Sequence, residues 1–549
     1  MNKSVRKVAI AVAVLFIALF VNLNYVQVVR GSDYRDHPDN ERVVLNEYSS
    51  PRGDINVDGA AIAHSIPSKD SFKYQRVYPN GALYAPETGY YPNPLVPSIA
   101  TSPFLGTSGI EAAENSVLSG DDPKLFTTRL TDLLTGRNPR GGSVLLSIDK
   151  ATQVTAYKAL MQGTSGPVRG AVVALDPRTG AILAAVSTPS YDPNALSTHT
   201  QASAQRAYRH YCRPRIVNGV GQCTNPAAPL LNRAFNQTYP PGSTFKVVVS
   251  AAAMKSGIQP PIRPDTTLIA PQSYFPETGA TKQAPCASHD PSCVENFEGE
   301  QCNPGSTTAT LAYGLAKSCN TMFSALAVDN SLGPQIAAEA RLFGFDSDTG
   351  LQEPVPVGTS TVGSRKDLVE NGFLARTAFG QQDVRMTVLQ GAMIAGAVAN
   401  NGTLMQPYLV KQELAPNLDV VERTEPNQLN QVLDPALDHE LQTMMEGVVT
   451  APEGTGHGAA VPGVLVGGKT GTADTGLTLK DGSDEPPHSW FIGFAIDKGL
   501  PKIAVAVLIE HSGLVVKNHQ IDPNGPQTDT EAAPIAAQVM QAYLNGHGG

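Results

Sequence analysis

Ser243 and Lys246 stand three residues apart at the start of an apolar segment, in Pro240-Pro241-Gly242-Ser243-Thr244-Phe245-Lys246. Residues at that spacing share one face of a helix, so the lysine amine reaches the serine oxygen. An amine so placed can take the hydroxyl proton and activate a serine nucleophile without any histidine. Such a serine still needs further polar and charged groups around it. Two later triplets supply those residue types: Ser318-Cys319-Asn320, and Lys469-Thr470-Gly471 with Thr472 behind it.

The elements that must hold these groups are legible in the pattern of apolar residues. Residues 243–256 are apolar and helical, and Gly257 with Pro260-Pro261 ends them. Residues 151–161 read as a helix. Two short apolar runs, 170–175 and 181–187, flank Asp176-Pro177-Arg178-Thr179-Gly180 and form a hairpin. Residues 464–466 lead into Lys469 as a strand. A second hairpin joins 490–496 to 503–509 around Asp497-Lys498-Gly499, and 531–544 is a final helix. Strands at both ends with helices between them predict one antiparallel sheet covered by helices, an α+β domain. Upstream, residues 30–142 have few long apolar runs and read as an extended, modestly packed module. In it Pro51-Arg52-Gly53-Asp54-Ile55 enters a tight turn at Asp58-Gly59. Residues 76–79 and 83–86 look extended, 123–134 carries a helical period, and 137–142 reads as a linker.

The chain of 549 residues is long enough for two or three domains, and its net charge of −9 with no long basic tract argues against nucleic acid as a partner. Lys3, Arg6 and Lys7 precede an uninterrupted apolar run from Val8 to Val21, and apolar residues continue to Val29. Asn22, Asn24 and Gln27 break the pattern, and the strict run is short for a span and would fit a signal-peptide core, but no Ala-x-Ala cleavage site follows. An uncleaved membrane anchor over 8–29 with a short cytoplasmic tail over 1–7 is therefore expected ahead of the alternative, a cleaved signal. The rest of the chain would then face an oxidising compartment. There the six cysteines should form one bridge between Cys212 and Cys223 and one within Cys286, Cys293 and Cys302, with the partners in that second group left open. Cys319 reads as a small buried filler. Neither a metal nor a cofactor is expected.

Alone, each triplet is an ordinary helix start, turn or strand end. Together, in this order and separated by 75 and 151 residues, they match the motif trio of class A β-lactamases and penicillin-binding proteins. Residues 170–177, Asn232-Arg233, Phe379-Gly380-Gln381, residues 399–402 and Trp490-Phe491-Ile492-Gly493 extend the match. Arg52-Gly53-Asp54-Ile55 and Tyr84-Ala85-Pro86 carry it upstream. Over nearly its whole length the chain resembles a class B penicillin-binding protein, close to the actinobacterial penicillin-binding protein A type. The resemblance implies a transpeptidase domain over 143–549 and a non-catalytic pedestal, or dimerisation-like, module over 30–142. The fold implied is an antiparallel sheet flanked by helices, with an all-helical subregion. No stretch resembles a glycosyltransferase module.

The same resemblance implies a role for each motif residue. Ser243 would attack the carbonyl between two D-alanines of a peptidoglycan stem peptide, with neutral Lys246 as base. Ser318 would relay the proton to the leaving nitrogen, and Asn320 would hold the substrate amide and orient Lys246. Lys469, Thr470 and Thr472 would bind the terminal carboxylate, and Gly471 would let substrate lie against the strand. A neighbouring amine would resolve the acyl-enzyme, whereas a β-lactam would leave Ser243 acylated. The implied partners are a SEDS-type glycan polymerase and other divisome or elongation proteins. Competing readings are a D,D-carboxypeptidase or β-lactamase, in which water resolves the acyl-enzyme, and a non-catalytic scaffold or β-lactam sensor. Residues 266–304, with three cysteines, read as a surface insertion. His457, His488 and His511 read as surface or structural residues, and Trp490 as a core residue of its strand.

Overall fold

The computed structural model describes residues 3–26, 30, 48–92 and 109–547, apart from 71, 137–139, 164–165, 214, 218–219, 224, 288–289, 348–349, 519 and 524–530. Much of the anticipated linker and the end of the anticipated anchor, residues 27–29, therefore lie outside the described residues. Helix α1 (Lys3–Asn24) includes a 20-residue stretch, Val5–Asn24, of mean hydropathy 2.2 with none of it buried. At about 1.5 Å per residue it is long enough to cross a bilayer core.

Beyond it, β1 (Ile55–Val57) turns at Asp58-Gly59 into β2 (Ala60–Pro67), which pairs with β3 (Tyr74–Val77). Helix α2 (Gly81–Thr88) follows. It corrects the expectation that 83–86 is extended. Pro86 lies inside this helix and cannot donate to the Ala82 carbonyl; Ser190 Oγ donates to it instead at 2.7 Å. The expectation of a modestly packed module is also corrected. Its interior holds Glu111 between two buried guanidinium groups, Arg52 Nε at 2.6 Å and Arg76 Nε at 2.7 Å. Tyr78 donates its hydroxyl to the same carboxylate at 3.0 Å. Burial opposes the charge on Glu111, but Arg76 and Arg52 hold its carboxyl below the usual range. A core tied by charges leaves no apolar run for a sequence reading to find.

Strand β4 (Ser143–Leu146) lies parallel to β1. Next come helix α3 (Lys150–Met161) and the hairpin of β5 (Gly170–Leu175) and β6 (Ile182–Thr188). After the helical region, β7 (Val410–Leu414) and β8 (Val420–Arg423) return to β4 and complete a six-stranded sheet, β8-β7-β4-β1-β2-β3. The upstream module thus shares one sheet with residues far downstream. A second sheet, of five longer strands, is β9 (Leu465–Ala473), β10 (His488–Asp497), β11 (Leu500–Ile509), β5 and β6 in that order, antiparallel throughout.

Both faces of that sheet are buried, and the two-residue strand period sorts its side chains between them. Ala171, Val173, Ala504 and Ala506 belong to one apolar cluster; Val172, Ala174, Val505 and Val507 belong to the other. The wholly buried helix α7 (Val388–Ala399) covers the first face, and α4 (Lys246–Lys255) belongs to the same apolar cluster. Helices α3 and α8 (Ala532–His547) cover the second. Between α4 and α7 in the chain lie α5 (Leu311–Lys317) and α6 (Asn320–Asp329), whose junction carries the second motif. The anticipated sheet, hairpins and end helix are all present.

Candidate active site

Ser243 sits in a single 3₁₀ turn, Gly242–Phe245, immediately before α4. In a 3₁₀ turn residues three apart eclipse one another, which stacks Lys246 on Ser243. The turn is braced on three sides. Gly242 donates its N–H to the Gly380 carbonyl at 3.0 Å. Trp490 Nε1 donates to the Pro240 carbonyl at 3.0 Å. Thr244 Oγ1 donates to the Pro241 carbonyl at 2.8 Å. Gly242 has a positive φ of 53°, and a Cβ there would meet the Thr472 carbonyl oxygen at 2.4 Å. The Ser243 turn therefore lies directly on β9, and only glycine fits the contact.

The three motifs meet at two lysine side chains. Lys246 Nζ lies 2.9 Å from Ser243 Oγ, 2.7 Å from the Ser318 carbonyl oxygen and 2.8 Å from Asn320 Oδ1. Lys469 Nζ donates to Ser318 Oγ at 2.8 Å and to the Thr470 carbonyl at 3.0 Å. Both lysines are wholly buried, whereas Ser243, Ser318, Asn320 and Thr470 are half-buried and Thr472 is exposed. The result is a row of hydroxyls open to solvent above two enclosed amines.

Enclosure decides the protonation of both. Burial, and then the Lys469 cation, push the Lys246 amine well below the usual lysine range. Burial lowers Lys469 to about 7. A neutral Lys246 has two N–H bonds and one lone pair. The two carbonyl acceptors take both hydrogens, which leaves the lone pair for the proton of Ser243.

Ser318 ends α5 with a left-handed backbone, φ 68°, and Cys319 N–H closes the turn on the Gly314 carbonyl at 2.9 Å. That turn brings the carbonyl of Ser318 and the side chain of Asn320 to the same amine. All eight residues singled out from the sequence, Ser243, Lys246, Ser318, Asn320, Lys469, Thr470, Gly471 and Thr472, thus lie together where the Ser243 turn, the α5–α6 junction and β9 meet.

Two expectations are corrected here. Cys319 is buried, but it is bonded to Cys302 and is not a free filler. The Cys212–Cys223 bridge is as expected, and the open choice in the second group resolves as Cys286–Cys293. Parity could have found the third bridge: six cysteines in an oxidising compartment leave Cys319 as the partner of whichever cysteine the trio has over. Residues 266–304 are not only a surface insertion. Ser273 and Tyr274 are fully buried, and the Glu295 carbonyl accepts from Asn320 Nδ2 at 3.2 Å.

Other supports had no role assigned to them from the motifs. Arg233 and Arg169 flank Glu510 at 2.8 and 3.0 Å, and the Tyr239 hydroxyl donates to the same carboxylate at 2.9 Å, just ahead of Pro240. Trp490 is a core residue, as expected, but it also steadies the Ser243 turn through its N–H. His488 is buried and accepts the His511 N–H at 3.1 Å, which fits its structural reading.

Residues 170–541 match the family model described as penicillin binding protein transpeptidase domain. Residues 52–144 match that described as penicillin binding protein A dimerisation domain. A Mycolicibacterium smegmatis protein named peptidoglycan D,D-transpeptidase PbpA is 41% identical over 545 residues, covering 99% of both chains. A Mycobacterium tuberculosis protein of the same name is 37% identical over 546 residues, covering 100% of both. Among solved structures, the imipenem acyl-enzyme complex of penicillin-binding protein A from M. tuberculosis superposes with a TM-score of 0.74 at 37% identity. That match covers 91% of this chain and 100% of the other.

Proposed function

This chain belongs to the penicillin-binding protein transpeptidase family, and from that membership we propose which of its residues carry the reaction. The protein is a monofunctional, class B peptidoglycan D,D-transpeptidase that β-lactams inhibit covalently. Ser243 Oγ attacks the carbonyl between two D-alanines of a donor stem peptide and passes its proton to Lys246 Nζ. Backbone N–H groups of Ser243 and Thr472 hold the oxyanion. Ser318, 3.4 Å from Lys246 Nζ through its Oγ, hands a proton to the leaving D-alanine nitrogen. Lys469 and the hydroxyls of Thr470 and Thr472 hold the terminal carboxylate, while Asn320 orients Lys246 and the substrate amide. An acceptor amine then takes the acyl group from Ser243 and completes the cross-link. The observation that carries this reading is the wholly buried amine of Lys246, 2.9 Å from a half-exposed serine hydroxyl and depressed by burial and by a second lysine.

The apolar α1 anchors the chain once in the plasma membrane, with the N-terminus cytoplasmic and the catalytic domain outside. Arg6 and Lys7 ahead of the run, and three disulfides beyond it, support that orientation. The domains divide at the boundaries expected above: a tail over 1–7, an anchor over 8–29, a pedestal over 30–142 and a transpeptidase domain over 143–549. The anchor and the pedestal offer the surfaces through which a SEDS-type polymerase and other divisome or elongation proteins would be met.

Labelling with fluorescent penicillin tests the assignment. The expected result is a long-lived adduct on the Ser243 peptide that is absent in Ser243→Ala. Rapid turnover of the label would move the reading to a hydrolase, and no adduct from a folded chain would sink the catalytic assignment.

The pH dependence is a second test. The active form has Lys246 neutral and Lys469 charged. For a carboxylate-bearing donor, kcat/KM should rise as Lys246 loses its proton, below the usual lysine range, and fall again near pH 7 as Lys469 loses its own. A penicillin methyl ester, which has no carboxylate to anchor, should keep the rising limb and lose the falling one. The same falling limb with both compounds would remove Lys469 from carboxylate binding.

A further inference from the structure

The turn that carries Ser318 and Asn320 is held from outside by residues that belong to none of the three motifs. The geometry points to the Cys302–Cys319 disulfide, together with the Glu295 carbonyl, as a clamp that positions the second motif around the base amine of Lys246. This rests on the reading of Lys246 as the base and adds positioning residues to it.

Three consecutive residues at the α5–α6 junction are each tied to the same upstream segment. Cys319 is bonded to Cys302, and both are 1% exposed. Asn320 Nδ2 donates to the Glu295 carbonyl at 3.2 Å. Thr321 N–H donates to Asn296 Oδ1 at 3.1 Å, and its hydroxyl to the Pro271 carbonyl at 2.6 Å. The segment is itself closed by the Cys286–Cys293 bridge, and Cys286 N–H donates to Glu295 Oε2 at 2.9 Å.

The residues on either side of Cys319 are the two that hold Lys246. One offers its main-chain carbonyl, the other its side-chain oxygen. Neither position is self-sustaining. Ser318 has the left-handed backbone that residues with a Cβ rarely keep without support. The Asn320 amide could present either end to Lys246. Its nitrogen is turned away because the Glu295 carbonyl accepts it, and so the oxygen faces the amine. Lys469 meanwhile draws Ser318 Oγ in another direction, and an arriving substrate carboxylate would disturb that contact. A covalent bond at the residue between Ser318 and Asn320 keeps both acceptors on Lys246 while the cleft fills.

Cys302→Ala in the full-length chain removes the bond from its far end and leaves every motif residue in place. With fluorescent penicillin, its acylation rate constant is expected to fall by roughly tenfold to a hundredfold, the scale of a small misplacement of reacting groups. Its rising pH limb should move upward as water reaches Nζ. Cys286→Ala/Cys293→Ala, which opens the other bridge of the same segment, should keep the parental rate and limb. If Cys302→Ala acylates like the parent with an unmoved limb, or if both variants lose activity alike with parental pH profiles, the clamp is overturned. Should Cys302→Ala fail to accumulate, Cys302→Val/Cys319→Ala fills the same space without the bond and carries the same test. A parent chain that forms no adduct at all would instead refute the catalytic assignment itself.

Discussion

Lys246→Met will acylate about 10²–10⁴-fold more slowly than the parent chain, the range expected when a positioned general base is removed. Methionine is unbranched and close in size to lysine, so the enclosed site stays filled, but it carries no basic nitrogen. The Ser318 carbonyl and Asn320 Oδ1 lose their donor, and each orphaned acceptor costs about 1–3 kcal/mol where water cannot reach it. Some loss of stability should therefore accompany the loss of rate. The two are separable: adduct formation followed over time gives the rate, and thermal unfolding of the same preparation gives the stability. Acylation within a few-fold of the parent from a folded Lys246→Met chain would mean that the proton of Ser243 leaves by another route.

Glu510→Ala will lower the unfolding free energy by about 3–5 kcal/mol, the usual scale for removing one partner of a buried ion pair. The reason is what remains. Arg233, wholly buried, and Arg169 would face one another without a counter-charge, and the Tyr239 hydroxyl would lose its acceptor. Chemical denaturation of the detergent-solubilised protein measures this; a change within experimental scatter would show that water reaches the site. Burial alone would raise the Glu510 carboxyl, but Arg233 and Arg169 overcome that and hold it at about 2, against an ordinary value of 4.5. A depressed carboxyl stabilises the fold above its unfolded value and stops doing so as pH falls through its folded one. The parent should thus lose this contribution between about pH 4.5 and 2, and Glu510→Ala should show no such loss in that window. Because Tyr239 leads into Pro240, slower acylation is expected in the same variant.

Local chemistry is where the sequence was most informative. A hydroxyl and an amine three residues apart need one turn of backbone to meet, so residue type and spacing alone pair Ser243 with Lys246. The hairpins at 170–187 and 490–509 announced themselves because turn residues interrupt runs of strand-forming ones. The apolar run of α1 did so through its length together with the basic residues ahead of it. What the motifs could not convey was their meeting. Lys246 touches Ser318 across 72 residues and Lys469 touches Ser318 across 151, and no local preference sets such distances. The packing of the Ser243 turn and the α5–α6 junction against β9 brings them together.

The remaining differences share a physical cause: they are polar or covalent contacts between segments distant in sequence. Pro86 sits in a helix because Ser190 serves the carbonyl that proline strands. Arg52, Arg76 and Glu111 make a core that contains charge, so a reading based on apolar periodicity takes the upstream module for a loose one. Cys319 looks like a filler until Cys302 is placed beside it, because a disulfide depends on where two chain segments cross and not on the residues around either cysteine. Residue type, short spacing within each motif and the order of the three motifs were enough to single out the groups proposed to do the chemistry, because those features are written along the chain. How deeply the two lysines are enclosed, and what holds the Ser318 turn against them, emerge from the fold, because burial and long-range contact are properties of the packed chain.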